Sequence, residues 1–159
     1  MNIHASDATN HDLVLTRVLD APPSKVFRAW TEPKLMKQWF APLPWTVSGA
    51  QTDPRPGGTV LIVMRDPDGK DHPSQGVYLE IVENEKIVFT DAYTSAWVPS
   101  AKPFMTVVLT FEEEPGGKTK YTARARHWNA EDREAHEAMG FHDGWGQCAD
   151  QLAELLKTI

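Results

Sequence analysis

Read for hydrophobic spacing, the chain changes period several times, and each change marks an element. The run "DLVLTRVL" (12–19) is rich in leucine and valine and short enough to be a strand. After it, "PPSKVFRAW" shifts to helical spacing, with Val26, Phe27, Ala29 and Trp30 along one side. Pro22 and Pro23 break the strand, and Ser24 stands where a capping side chain is expected. "TEPKLMKQWF" predicts a second short helix, capped by Thr31, with Pro33 in its first turn and Leu35, Met36 and Trp39 on one side. Pro42 and Pro44 end it.

From Trp45 to Trp128, β-like runs alternate with turns at "PRPGG", "PDGK", Asn84–Glu85 and "EPGGK". Hairpin-like spacing predicts an antiparallel meander of six strands here, about seven with the first. "TSAWVPSAKP" (94–103) reads as a longer connection in which Trp97 packs over a neighbour. From about Ala130 to Lys157 one long amphipathic helix is expected. Its stripe is Ala138, Phe141, His142, Trp145, Ala149, Leu152 and Leu156. Gly140, Gly144 and Gly146 fall inside that run, although each interior glycine costs a helix about 1 kcal/mol relative to alanine. The order β–α–α–β×6–α defines an α+β protein, with residues 1–11 a flexible leader and 12–159 one domain.

Charge narrows the function. A formal net charge of −6 speaks against nucleic acid as a partner and gives no support to an anionic membrane surface. The single cysteine, Cys148, leaves no intrachain disulfide and no cysteine zinc site. The polar start "MNIHASDATNHD" lacks the apolar run of a signal peptide, and no stretch approaches the roughly 18 apolar residues of a membrane span, so a cytoplasmic location is expected.

The segment "DAPPSKVFRAWTEPKLMKQWF" closely resembles the signature of the domain family named for the activator of heat-shock protein 90 ATPase homologues. The matching positions are Ala21-Pro22, Val26-Phe27, Ala29-Trp30-Thr31, Pro33, Leu35 and Trp39. "RPGG", "DPDG" and "GVYLEI" resemble that family's next blocks, and Gly144-Trp145 with Leu152 to Leu156 its last; "APLPW" departs from the usual glycine-containing turn. The resemblance places the chain in the START-like (SRPBCC) superfamily. It implies a helix-grip fold, in which a curved antiparallel sheet wraps a long C-terminal helix around an internal cavity. It does not by itself imply a function, since members include co-chaperone domains, ligand binders and cyclases.

Strand parity then selects residues. In "TKYTARARHW", Tyr121, Ala123, Ala125 and His127 share the more apolar face, which should meet the helix. Two alanines opposite three glycines admit two readings: close helix–sheet packing, or a cavity floored by Ala123 and Ala125 and bordered by Gly140 and Gly144. His127 and His142 would both point inward, as core histidines or as handles that orient a ligand. His136, His142 and Cys148 follow at intervals of six, which suits no metal, and no cofactor is expected. No nucleophile elbow or phosphate loop appears, so no catalytic residue is assigned. Trp39, Phe40 and Trp45 near one end of the cavity, Tyr93 and Trp97, and Phe141 and Trp145 on the helix complete the candidate lining. The expected function is binding of a small hydrophobic or aromatic molecule. The alternatives are a co-chaperone-like interaction module and a cyclase- or hydrolase-type enzyme with a cavity histidine. A homodimer stays open.

Overall fold

The computed structural model describes residues 11–159. Most of the expected leader, residues 1–10, lies outside the described residues. His11 does not behave as leader: its carbonyl accepts the backbone N–H of His127. The sheet has seven antiparallel strands in the order β1-β9-β8-β5-β4-β3-β2. They are β1 (Asp12–Leu19), β2 (Thr46–Thr52), β3 (Thr59–Arg65), β4 (Asp71–Val82), β5 (Lys86–Thr90), β8 (Met105–Glu114) and β9 (Lys118–His127). The connection expected over 94–103 instead carries a small hairpin of its own, β6 (Tyr93–Ser95) and β7 (Val98–Pro99). The helices are α1 (Pro23–Thr31), α2 (Pro33–Met36), α3 (Ala130–Ala138) and α4 (Phe141–Leu156). Sheet, paired short helices and terminal helix together make the helix-grip architecture.

Both expected side-chain caps fail. Pro22 occupies the N-cap of α1 and Ser24 lies within its first turn. Thr31 closes α1, its hydroxyl donating back to the Phe27 carbonyl, and Glu32 precedes α2. Prolines at the first helical positions already supply the required φ and need no capped N–H, so the local signal for a cap was spurious.

The expected single terminal helix is two. Gly140 sits at φ 95°, a left-handed conformation that breaks the run between α3 and α4 and that a side chain would strain. Its glycine is therefore a hinge requirement and not an interior helix cost. Asn129 caps α3, accepting from the Asp132 N–H at 2.8 Å. The break also rotates residues off the expected stripe: Ala138 and His142 are exposed.

The core lies between the sheet's inner face and the helices. Antiparallel register arranges that face in rungs. One runs Tyr78, Phe89, Val107, Ala125, Leu13 and the next Ile81, Ile87, Leu109, Ala123, Leu15. Ala123 and Ala125 thus occupy the middle of rungs whose other members are large. α1 packs on β8 and β9, and α4 lies over β1.

Candidate functional site

The three glycines of the terminal segment serve three different purposes. Gly140 is the hinge. Gly146 is buried, and a Cβ there would meet the Arg17 Nη2 atom at 2.9 Å, so the close approach at this helix is to a β1 side chain and not to Ala123 or Ala125. Gly144 is the unexplained one. It is half-buried on the flank of α4, one turn after buried Phe141 and one turn before half-buried Cys148. Yet a Cβ built on it meets no atom within 4 Å. The glycine therefore faces open space, with nothing packed against it.

Phe40, Phe89, Met105 and Trp145 are half-buried apolar side chains packed against the core. Phe89 and Met105 hold inner-face positions on β5 and β8, Trp145 flanks Gly144, and Phe40 approaches from the loop after α2. The Cys148 thiol donates to the Phe40 carbonyl at 3.0 Å and fixes that loop to the helix. Burial pushes the thiol up to about 12, so Cys148 stays protonated and is no nucleophile at neutral pH. Gln151 completes the attachment: its amide donates to the Trp39 and Ala41 carbonyls at 2.8 Å and accepts from the Leu43 N–H at 3.1 Å. Nothing along the sequence marked Gln151, because the loop groups it binds lie more than 100 residues away.

The expected lining residues divide by position. Trp39 is buried, donating to the Ala29 carbonyl at 3.0 Å, with its ring 4.9 Å from Trp30. Trp45 leans on His72 at 5.1 Å. Trp39 and Trp45 both edge a hollow of about 180 Å³ beside Gln151, below the roughly 300–1,000 Å³ usual for a small-molecule site. Ala123 and Ala125 are fully covered. Phe141 is buried, with Trp145 5.4 Å from it. Tyr93 and Trp97 pair with each other on the β6–β7 hairpin, where Trp97 is 75% exposed at φ 64°. A second hollow, of about 550 Å³, is ringed by Glu83, Glu85, Glu112 and Glu113 at the start of α1. It is a solvated acidic surface away from these residues.

The histidines part company. His142 points to solvent, 3.7 Å from the Glu137 carboxylate, and is not an inward handle. His127 is inward as strand parity predicts, but both its nitrogens are engaged. Nδ1 donates to the His11 carbonyl at 2.8 Å, which leaves Nε2 to accept from His136 Nδ1, also at 2.8 Å. Phe104 and Phe141 close over the pair, each with its ring 5.1 Å from His136. Neither nitrogen of His127 is free for a substrate. His136, read at first only as a metal candidate, is the missed partner; it stands five residues before Phe141, off the expected stripe, so helical spacing gave no signal for it.

The comparisons agree with this fold. Residues 20–157 match the family model described as "Activator of Hsp90 ATPase homolog 1-like protein". A crystal structure of a Nitrosomonas europaea protein is 42% identical, with TM-score 0.90 over 94% of this chain and 96% of that one. A Mycobacterium smegmatis protein is 25% identical with TM-score 0.79, covering 94% and 93% of the two chains. A Chromobacterium violaceum protein is 26% identical with TM-score 0.74, covering 91% and 96%. No curated protein matches the chain. Among the described residues, no helix is long and apolar enough to cross a membrane.

Proposed function

The chain belongs to the family of activator of Hsp90 ATPase homologue 1-like proteins, and from that premise we propose that it binds a small apolar or aromatic molecule in the groove between the sheet and α4. Family and fold together suggest ligand-binding or co-chaperone-type roles. Gly144 favours the first. A helix interior gives up about 1 kcal/mol at this position, and no neighbouring atom requires the sacrifice. A bare backbone on a helix that packs on a core carrying half-buried Phe89, Met105, Trp145 and Phe40 is instead suited to admitting a flat apolar body.

The test separates stability from binding. Gly144→Ala is expected to stabilise the protein by about 0.5–1 kcal/mol in urea unfolding, since the added methyl meets open space. Gly144→Leu should fill the groove and weaken binding of 2-ethylnaphthalene at least tenfold in equilibrium dialysis. Unchanged binding in the leucine variant, or no binding by the wild type, would overturn the reading.

The exposed hairpin tip supports the second reading, a co-chaperone-like interaction module. Trp97 and Val98 are 75% and 50% exposed, and Trp97 holds a left-handed backbone that glycine would adopt more cheaply. Stimulation of an Hsp90-class ATPase that disappears in Trp97→Ala would favour it over ligand binding.

A further inference from the structure

Two tyrosines project from the inner face of the sheet into its buried layer, and they are treated differently. The Tyr121 hydroxyl accepts from the Trp30 indole N–H at 3.2 Å. The Tyr78 residue is 2% exposed, and its hydroxyl is buried without a protein partner. A buried hydroxyl left unbonded costs about 1–3 kcal/mol, so one that persists asks for a function. Position supplies one. Tyr78 stands beside Phe89 in the same rung, on the same side of the sheet, with ring centroids 6.5 Å apart. Phe89 is half-buried and is one of the side chains assigned to the groove proposed above.

We propose that the Tyr78 hydroxyl is the polar anchor of that groove, donating a hydrogen bond to a neutral carbonyl or ether oxygen on an otherwise apolar aromatic ligand. This inference rests on the groove reading and adds the ligand's chemistry to it. Burial, with the Asp53 carboxylate acting in the same direction, holds the phenol well above its ordinary range. The group is therefore an O–H donor and not a phenolate. The same negative charge disfavours an anionic ligand, which leaves a neutral acceptor. Reaching the hydroxyl requires the ligand to part the side chains over it, so binding is expected to shift the Phe89 and Trp30 environments together, their rings being 6.0 Å apart.

A matched pair of probes tests the anchor. 2-Acetylnaphthalene carries the acceptor oxygen; 2-ethylnaphthalene has nearly the same shape without it. Equilibrium dialysis of the wild type is expected to favour the acetyl probe about tenfold, the equivalent of one hydrogen bond near 1.4 kcal/mol. In Tyr78→Phe that preference should vanish through loss of acetyl-probe affinity, with the ethyl probe unchanged within twofold. The urea midpoint of Tyr78→Phe should equal or exceed that of the wild type. If both probes bind and Tyr78→Phe leaves their ratio unchanged, the anchor is overturned and the groove stands. If neither probe binds the wild type, both fall. A lower urea midpoint would show the hydroxyl already bonded inside the protein, which also overturns the anchor.

Discussion

Replacing Gly76 with alanine is expected to destabilise the protein by about 3–5 kcal/mol, enough to bring a marginal domain close to unfolding. Gly76 lies on β4 opposite Val60, on the inner face. A Cβ there would overlap the backbone carbonyl of Thr90 and press on Asp91, where the chain leaves β5 for the β6–β7 hairpin. The obstacle is backbone, and it is held: the Asp91 carboxylate accepts from the Phe104 and Met105 N–H groups at 2.8 and 3.1 Å, pinning the two ends of the hairpin segment together. No side-chain rotation relieves such an overlap. Urea unfolding checks the expectation against Gly144→Ala, the same chemical change with the opposite expected sign. A Gly76→Ala protein as stable as the wild type would mean that the chain after Thr90 does not cross over Gly76.

Acidification from pH 7 to pH 4 should cost about 3 kcal/mol through His136 alone. Burial, reinforced by His127, pushes its imidazole from 6.5 down to about 4 in the folded protein. Between those values the unfolded chain binds more protons than the folded one. The contribution is therefore complete above about pH 6.5 and is lost as pH falls toward 4. The cause is enclosure: the proton that charges His136 adds at Nε2, outside the chain in which His136 Nδ1 donates to His127 Nε2 and His127 Nδ1 to His11, and the resulting cation would be buried beside Phe104 and Phe141. A proton added to Nε2 of His127 would set one N–H against another. The raised carboxyl of Asp91 acts in the opposite sense, gaining stability on acidification. His136→Phe isolates the term, because phenylalanine suits the surrounding Phe104 and Phe141 rings and does not titrate. Urea midpoints measured at pH 7, 5.5 and 4.5 should fall more steeply for the wild type than for this variant. Equal slopes would remove His136 from the acid response.

Local pattern carried most of the architecture. Leu13, Leu15 and Leu19 alternate in β1, Tyr121 to His127 alternate in β9, and Asn84–Glu85 and "EPGGK" mark the turns that join neighbouring strands. Period and turn chemistry act over a few residues, so a sequence displays them directly. Where two local signals compete, the display misleads. Asn129, Gly140 and the apolar stripe all lie in the terminal run, and the stripe reads straight through the hinge because spacing along the sequence does not register a single left-handed residue.

The candidate site was legible only in part. Strand parity alone predicts that Ala123, Ala125 and His127 face inward, since side chains alternate across a pleated sheet. His142 was misplaced because its direction depends on the rotation at Gly140. Gly144 and Gly146 are identical in sequence terms and differ only in what stands opposite: empty space for one, the Arg17 guanidinium for the other. Likewise Tyr78 and Tyr121 are both inward-facing tyrosines, and the 91-residue gap between Trp30 and Tyr121 is what satisfies one hydroxyl and not the other. The sequence by itself determined the α+β order, the hairpins between neighbouring strands and the family, because each follows from spacing, turn residues and motifs close along the chain. The tertiary structure alone decided which glycine faces open space, which histidine pairs and which hydroxyl stays without a partner, because those depend on distances between residues that the chain brings together only on folding.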